Sequence, residues 1–420
     1  MDINSINNNN KNNTNNTNDQ NNINNIPNFP DYRKCLVNLA SSVLKKFGFE
    51  TTADTLPLAD SYLGKSYKNI VVLLLDAMGV SILEKHLAED GFFRSHLAGE
   101  YNSVYPPTTV AATTSLLSGL YPNEHGWLGW DMYIPKLDKN VTLFTNTEQA
   151  REKKDASPVK IKDDGTKIWD KDSYEELVQA ADYSVGFTLL PYENLVDKIN
   201  KVGGKAYFSM PFMPPFPQGP DAIFKRIENL CKEPGEKFIY AYWSEPDNTM
   251  HKTGTTSMST HAVITDLEER VDNLASKLED TLLLITADHG HMDSRNICIL
   301  DYPEVMECLL RMPSIEPRTI NLFVKDEYKD IFPEIFKRNF GDDNFLLMTR
   351  EEVLKQKIFG IGEDREGLAD MIGDYVAFSI SDVSIFVSHY EAQVMPGGHA
   401  GLTPEEYIIP LIVIEKGENI

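Results

Sequence analysis

Several features are scarce or missing in this chain, and each absence removes a class of function. No apolar run approaches the length needed to span a bilayer. Residues 1–26 are dominated by asparagine and contain no apolar core of the kind a secretory signal requires. No signal peptide is therefore expected, and residues 1–30 read as a disordered tail. Cysteine is sparse: Cys35, Cys231, Cys298 and Cys308 are scattered, with no CxxC spacing. That excludes a disulfide scaffold and fits reduced thiols in a cytoplasmic protein. Basic residues are few, 40 against 63 acidic, for a formal charge of −23. Such a balance argues against a nucleic-acid-binding surface, which needs cations to displace counterions, and equally against an anionic membrane. No GxSxG element marks a serine hydrolase. ADSYLGKS (59–66) looks like a phosphate loop, but it precedes a strand instead of following one.

What remains is a chain of 420 residues, 41% apolar, enough for a substantial α/β core. Three apolar, β-prone runs end in acids. TLLLITADHG (281–290) ends at Asp288 and His289, NIVVLLLDAMG (69–79) leads into Asp76, and KFIYAYWSEPDNTMH (237–251) reaches Asp247 and His251. A carboxylate beside an imidazole at a buried strand end is costly to desolvate without a partner, and a metal ion is one such partner. Open α/β sheets gather ligands beyond the carboxyl ends of their parallel strands. His399, in the glycine-rich turn PGGHAG (396–401), adds a further imidazole. Asp247 and His251, four residues apart, can share one face of a helical turn.

Helical periodicity is expected over 31–48 with Gly48 as cap, over 80–89, and over 257–280. A helix starting near Thr108 or Thr109 should end at Gly119. Residues 191–212 read as helix, glycine turn and strand, and 407–414 as a closing strand. Residues 130–185 and 303–380 read as inserted cap segments within a catalytic domain spanning 31–420.

Four blocks, in order, make the chain resemble the alkaline phosphatase superfamily, in its type I phosphodiesterase/nucleotide pyrophosphatase branch. They are LLLDAMG, YPPTTVAATTSLLSGLYPNEHGW (105–127), EPDNTMH, and ITADHGHMD with the terminal GGHAG. The resemblance implies a mixed, largely parallel sheet sandwiched by helices, and two divalent metal ions. Asp76, Asp288 and His289 would hold one ion, and Asp247, His251 and His399 the other. Thr109 falls at the family's nucleophile position, counted back from SGLYP. Its hydroxyl would sit between the ions and form a phospho-threonine intermediate. Mixed carboxylate and imidazole ligands favour zinc, with manganese as the alternative.

The expected activity is hydrolysis of a small-molecule phosphodiester or nucleotide pyrophosphate. The rivals are phosphomonoesterase, phosphonate hydrolase or mutase chemistry on the same ligands, and a metal-stabilised scaffold without catalysis. His125 is expected to order a loop. His291 reads equally as a support for a ligand or as an ordinary loop histidine. Trp127 and Trp130 read as substrate-stacking or core residues.

Overall fold

The computed structural model describes residues 29–417, so the expected tail lies outside them apart from Phe29 and Pro30. Phe29 packs edge-on against Tyr105 and Phe378, with ring centroids 5.3 and 5.6 Å away.

The centre is a six-stranded sheet. Its strands are β1 (Asn69–Leu75), β2 (Leu97–Asn102), β3 (Ala206–Ser209), β4 (Lys237–Trp243), β5 (Thr281–Thr286) and β6 (Ile408–Lys416), in spatial order β2-β6-β5-β1-β4-β3. β3, β4, β1 and β5 run parallel, and β6 is antiparallel to both neighbours. Every residue of β1 and of β5 is buried. That is why both read as continuous apolar runs instead of alternating ones: parallel strands are covered on both faces. The sheet is thus mixed and largely parallel, with helices packed around it, as expected. These helices include α1 (Leu36–Lys46), α2 (Thr109–Ser118), α3 (Asp247–Thr253) and α4 (Met258–Ala275). α2 ends where Gly119 takes φ +69, a conformation that costs glycine nothing.

Strand direction assembles the site. β1, β4 and β5 all release their chains at one edge. β1 and β5 pair through Leu74↔Thr286, so continuing the register by two places sets Asp76 opposite Asp288. Because β6 is antiparallel, the segment preceding it, with His399, arrives at the same edge.

A second sheet explains the charge-rich regions. It has seven strands, all antiparallel, in the order Phe345–Thr349, Tyr375–Ser379, Thr319–Leu322, Ser314–Glu316, Asp131–Ile134, Lys139–Thr142 and Thr147–Glu148. Segments 130–185 and 303–380, read as separate insertions, therefore build one layer, joined where Ile315 pairs with Asp131. Part of this layer rests on a smaller core of its own, including Phe332, Phe336, Phe340, Val383 and Ile385. No helix among the described residues is long and apolar enough to cross a membrane.

Candidate metal centre

The seven residues singled out in the sequence meet at the carboxyl edge of the central sheet. Six of them form two groups, and within each the potential ligand atoms lie within 4.8 Å of one another: Asp76, Asp288 and His289, and Asp247, His251 and His399. Thr109 is the first residue of α2. Its Oγ1 lies 3.1 Å from His289 Nε2 and 3.4 Å from Asp76 Oδ1. Thr108, the rival for that position, turns away: its hydroxyl donates to Glu316 Oε1 at 2.6 Å.

The backbone is bent to bring these groups together. Ala77 and Ala400, immediately after Asp76 and His399, hold φ of +60 and +83, a region that disfavours residues with a Cβ. The Ala77 amide donates to Asp288 Oδ1 at 3.0 Å. A Cβ on Gly290 would sit 1.9 Å from the Glu405 carbonyl, so the chain can cross behind His289 only with glycine there. The turn carrying His399 is held by a fully buried ion pair, Arg318 Nε to Glu406 Oε1 at 2.6 Å, and Gly401 N donates to the same oxygen at 2.7 Å.

Hydrogen bonds at the far ring nitrogens set the tautomers. His289 Nδ1 lies 2.8 Å from the Gly290 carbonyl and His251 Nδ1 lies 3.2 Å from the Gly397 carbonyl. A carbonyl only accepts, so each Nδ1 carries the hydrogen and each Nε2 is left with a bare lone pair aimed into the site. Burial depresses the basicity of all four imidazoles. His251 falls to about 4, His289 is lowered, and His291 and His399 are driven well below their ordinary value. Burial also raises the acids, with neighbouring carboxylates adding to it for Asp76 and Asp247. Asp288 is pushed up to about 6, burial outweighing the hydrogen bonds it accepts.

This set of groups fits a cation and little else. Asp247 Oδ1 makes no hydrogen bond among the described residues, yet three Nε2 atoms converge on it: His251 at 3.3 Å, His291 and His399 at 3.8 Å. Asp288 Oδ2 is likewise buried without a hydrogen bond. Bare imidazole lone pairs facing a carboxylate oxygen repel one another, and a divalent ion between them reverses the sign.

The structure brings in two residues the sequence did not place. Tyr242, the penultimate residue of β4, donates its hydroxyl to Asp76 Oδ2. Its only sequence signal was its position one turn of chain before an acidic strand end. His291 is fully buried, and neither ring nitrogen has a hydrogen-bond partner among the described residues. The HGH spacing in DHGHM was the available signal. His291→Ala should weaken retention of the ion at the Asp247 group by about 10–100-fold, the usual cost of removing a group that supports a metal's ligands. Chelator competition followed by metal analysis measures this, and unchanged retention would mean that His291 only fills space.

The remaining histidines play no part here. His125 accepts from Trp127 N and pairs with Ser115 Oγ at 2.9 Å, ordering its loop. Trp127 is core, its Nε1 bound to the Leu190 carbonyl, whereas Trp130 is 46% exposed beside the site.

Residues 70–338, more than half of the chain, match the family model described as type I phosphodiesterase / nucleotide pyrophosphatase, and the chain belongs to that family. Human ectonucleotide pyrophosphatase/phosphodiesterase family member 1 is 27% identical over 197 residues, which cover 44% of this chain and 19% of that protein. Human family member 5 is 26% identical over 198 residues, 46% of this chain and 37% of that protein. The match thus spans well under half the length of these relatives. Among solved structures, an inactive variant of murine ectonucleotide pyrophosphatase/phosphodiesterase 5 in complex with AMP aligns with a TM-score of 0.57 at 16% identity. The alignment covers 84% of this chain and 88% of that one. The human form of the same protein gives a TM-score of 0.57, also at 16% identity, over 83% and 87%. These alignments carry the fold.

Proposed function

We propose that this family member is a metal-dependent phosphodiester or pyrophosphate hydrolase that works through Thr109. One observation carries the reading: a threonine hydroxyl at the start of a ten-residue helix stands within 3.4 Å of both Asp76 and His289, at the mouth of a cavity of about 300 Å³.

Asp76, Asp288 and His289 would hold one ion and Asp247, His251 and His399 a second, with zinc preferred for the mixed oxygen and nitrogen donors. When bound, such ions neutralise phosphate charge and favour ionised oxygen nucleophiles at neutral pH. The chain's own residues do the rest. Asp76 Oδ1 at 3.4 Å and the bare His289 Nε2 at 3.1 Å are the two acceptors open to the Thr109 hydroxyl hydrogen, and Tyr242 and the β1–β5 register hold Asp76 in place. The first-turn amides of α2 lack intrahelical acceptors and suit phosphate oxygens. Thr109 Oγ forms the new bond to phosphorus as the ester oxygen departs with the electrons of its own P–O bond. Water then displaces the phosphoryl group and returns the hydroxyl. The four cysteines are all unpaired and buried, which supports a reducing, cytoplasmic setting.

A panel on metal-loaded protein tests the reading. Bis(p-nitrophenyl) phosphate should be cleaved with a kcat/KM at least tenfold above that of p-nitrophenyl phosphate. Preference for the monoester would favour a phosphomonoesterase. Metal binding without hydrolysis of any ester would favour a scaffold.

A further inference from the structure

The cavity that opens at Thr109 runs beneath the second sheet, and three acids stand in its walls. Glu316, Asp131 and Glu391 line it, each only partly exposed. Among the described residues none of the three is in an ion pair. Glu316 Oε1 accepts from Thr108 Oγ1 and from Trp130 N at 2.8 Å. Asp131 accepts from Thr142 Oγ1 at 2.5 Å and Gln149 Nε2 at 3.2 Å. Glu391 lies against the Tyr174 hydroxyl. All these partners are neutral.

Of the two cations that touch the cavity, Arg318 is committed elsewhere and Lys252 lies at its exposed rim. The Arg318 guanidinium is taken up by Glu406 and by the carbonyls of Ser381 and Val383. Lys252 stands exposed on α3, next to His251. Burial raises both glutamates, and Asp131 adds to it, Glu316 to about 7 and Glu391 to about 6. The three acids do not form a group close enough to share one metal ion. An ammonium ion is attracted by the summed field of the three acids and does not need them to converge on one point.

A second observation points the same way. In the strand Val383–Phe386, Val383 and Ile385 belong to the smaller core. Ser384, Ile385 and Phe386 all line the cavity, and by strand alternation Ser384 lies on the face opposite Val383 and Ile385. Ser384 is 1% exposed and its hydroxyl has no hydrogen-bond partner among the described residues. A buried, unpartnered hydroxyl on a cavity wall costs free energy until a ligand satisfies it.

We propose that this cavity receives the organic group of the phosphate ester and selects one that carries a protonated amine, held by the combined charge of Glu316, Asp131 and Glu391 with the Ser384 hydroxyl on the same wall. This rests on the proposed phosphoesterase reading, with phosphorus at Thr109. A second phosphate or a sugar acid would meet like charge in the same space.

Binding of three phosphonates to the metal-loaded protein, measured by calorimetry, tests the proposal: 2-aminoethylphosphonate, 2-hydroxyethylphosphonate and propylphosphonate. The amine should bind at least tenfold more tightly than the other two. Glu391→Gln and, separately, Glu316→Gln should each cut that ratio to threefold or less. With two variants, one that misfolds does not close the test. Equal or weaker binding of the amine, binding of none of the three, or a ratio that survives both substitutions would overturn the proposal. Turnover of p-nitrophenyl ethyl phosphate, followed in parallel, separates it from the reading beneath it. Hydrolysis without amine preference removes this proposal alone, and amine preference without hydrolysis of any ester removes only the activity.

Discussion

Thr109→Ala should leave the chain folded and its metal content near normal while hydrolysis falls by at least ~10³-fold, the scale seen when a nucleophile is deleted from an otherwise intact site. The folding half of this expectation comes from the surroundings of Thr109. Its hydroxyl touches only Asp76 and His289, and both keep other anchors: Tyr242 on Asp76 and the Gly290 carbonyl on His289. Alanine also has the highest helix propensity, so the first turn of α2 is not weakened. Thr113 donates to the Thr109 carbonyl at 2.6 Å, and that bond is indifferent to the side chain at 109. The activity half follows from position, because no second hydroxyl can take over. Thr108 is turned to Glu316, and Thr113 is tied into its own helix. Metal analysis beside the diester assay checks both halves. Retained activity would sink the nucleophile assignment, and lost metal would make Thr109 chiefly a ligand.

The legible parts of this protein are those where physics acts over short stretches of chain. β1 and β5 are buried on both faces, so their sequences are uniformly apolar and end where polar chemistry begins. Gly119 and Gly48, both at positive φ, mark helix ends that a local reading can find. The ligand blocks could be ordered along the chain, but their grouping into two triads came from the family resemblance. In the structure it is the parallel register of β1 with β5 that sets Asp76 beside Asp288. The second sheet was not legible. Its strands are two to five residues long, and its two halves are joined by a single pairing, Ile315 with Asp131, far apart in sequence. No local pattern announces such a pairing. His291 was left undecided for a similar reason: its role depends on Asp247 and His251 approaching from another strand end. The acidic cavity was invisible because Asp131, Glu316 and Glu391 come from three segments, each of which alone reads as ordinary polar surface.

Asp288→Asn should separate stability from function in opposite directions. Asp288 Oδ1 accepts from Ala77 N and His289 N, both at 3.0 Å, and asparagine's carbonyl oxygen can keep both bonds. Oδ2 is the exposed weakness: it is buried, makes no hydrogen bond, and lies 3.6 Å from the bare Nε2 of His289. In asparagine this atom becomes an NH₂ group that can donate to that nitrogen and to Asp76. The charge it removes is costly because Asp76, already raised by burial, is raised further by Asp288. Asp288 itself titrates near 6 in the fold against an ordinary 3.8. A carboxylate whose folded pKa is raised loses stability as pH climbs from the lower value to the upper, and the full penalty is present above both. At pH 8 in excess chelator, the variant should therefore unfold at a higher temperature than the wild type, by about 1–3 kcal/mol in stability. With saturating zinc the order should invert, since the wild type gains binding free energy that the variant has largely given up. Hydrolysis should fall by at least ~10²-fold, the scale of losing one electrostatic contact to the reacting group. Calorimetric unfolding with and without metal reads both effects. A variant less stable than the wild type in chelator would mean that the Asp288 charge is structural. A crossing of the two orders means that the protein carries this buried charge at the expense of its own stability, held there for a cation.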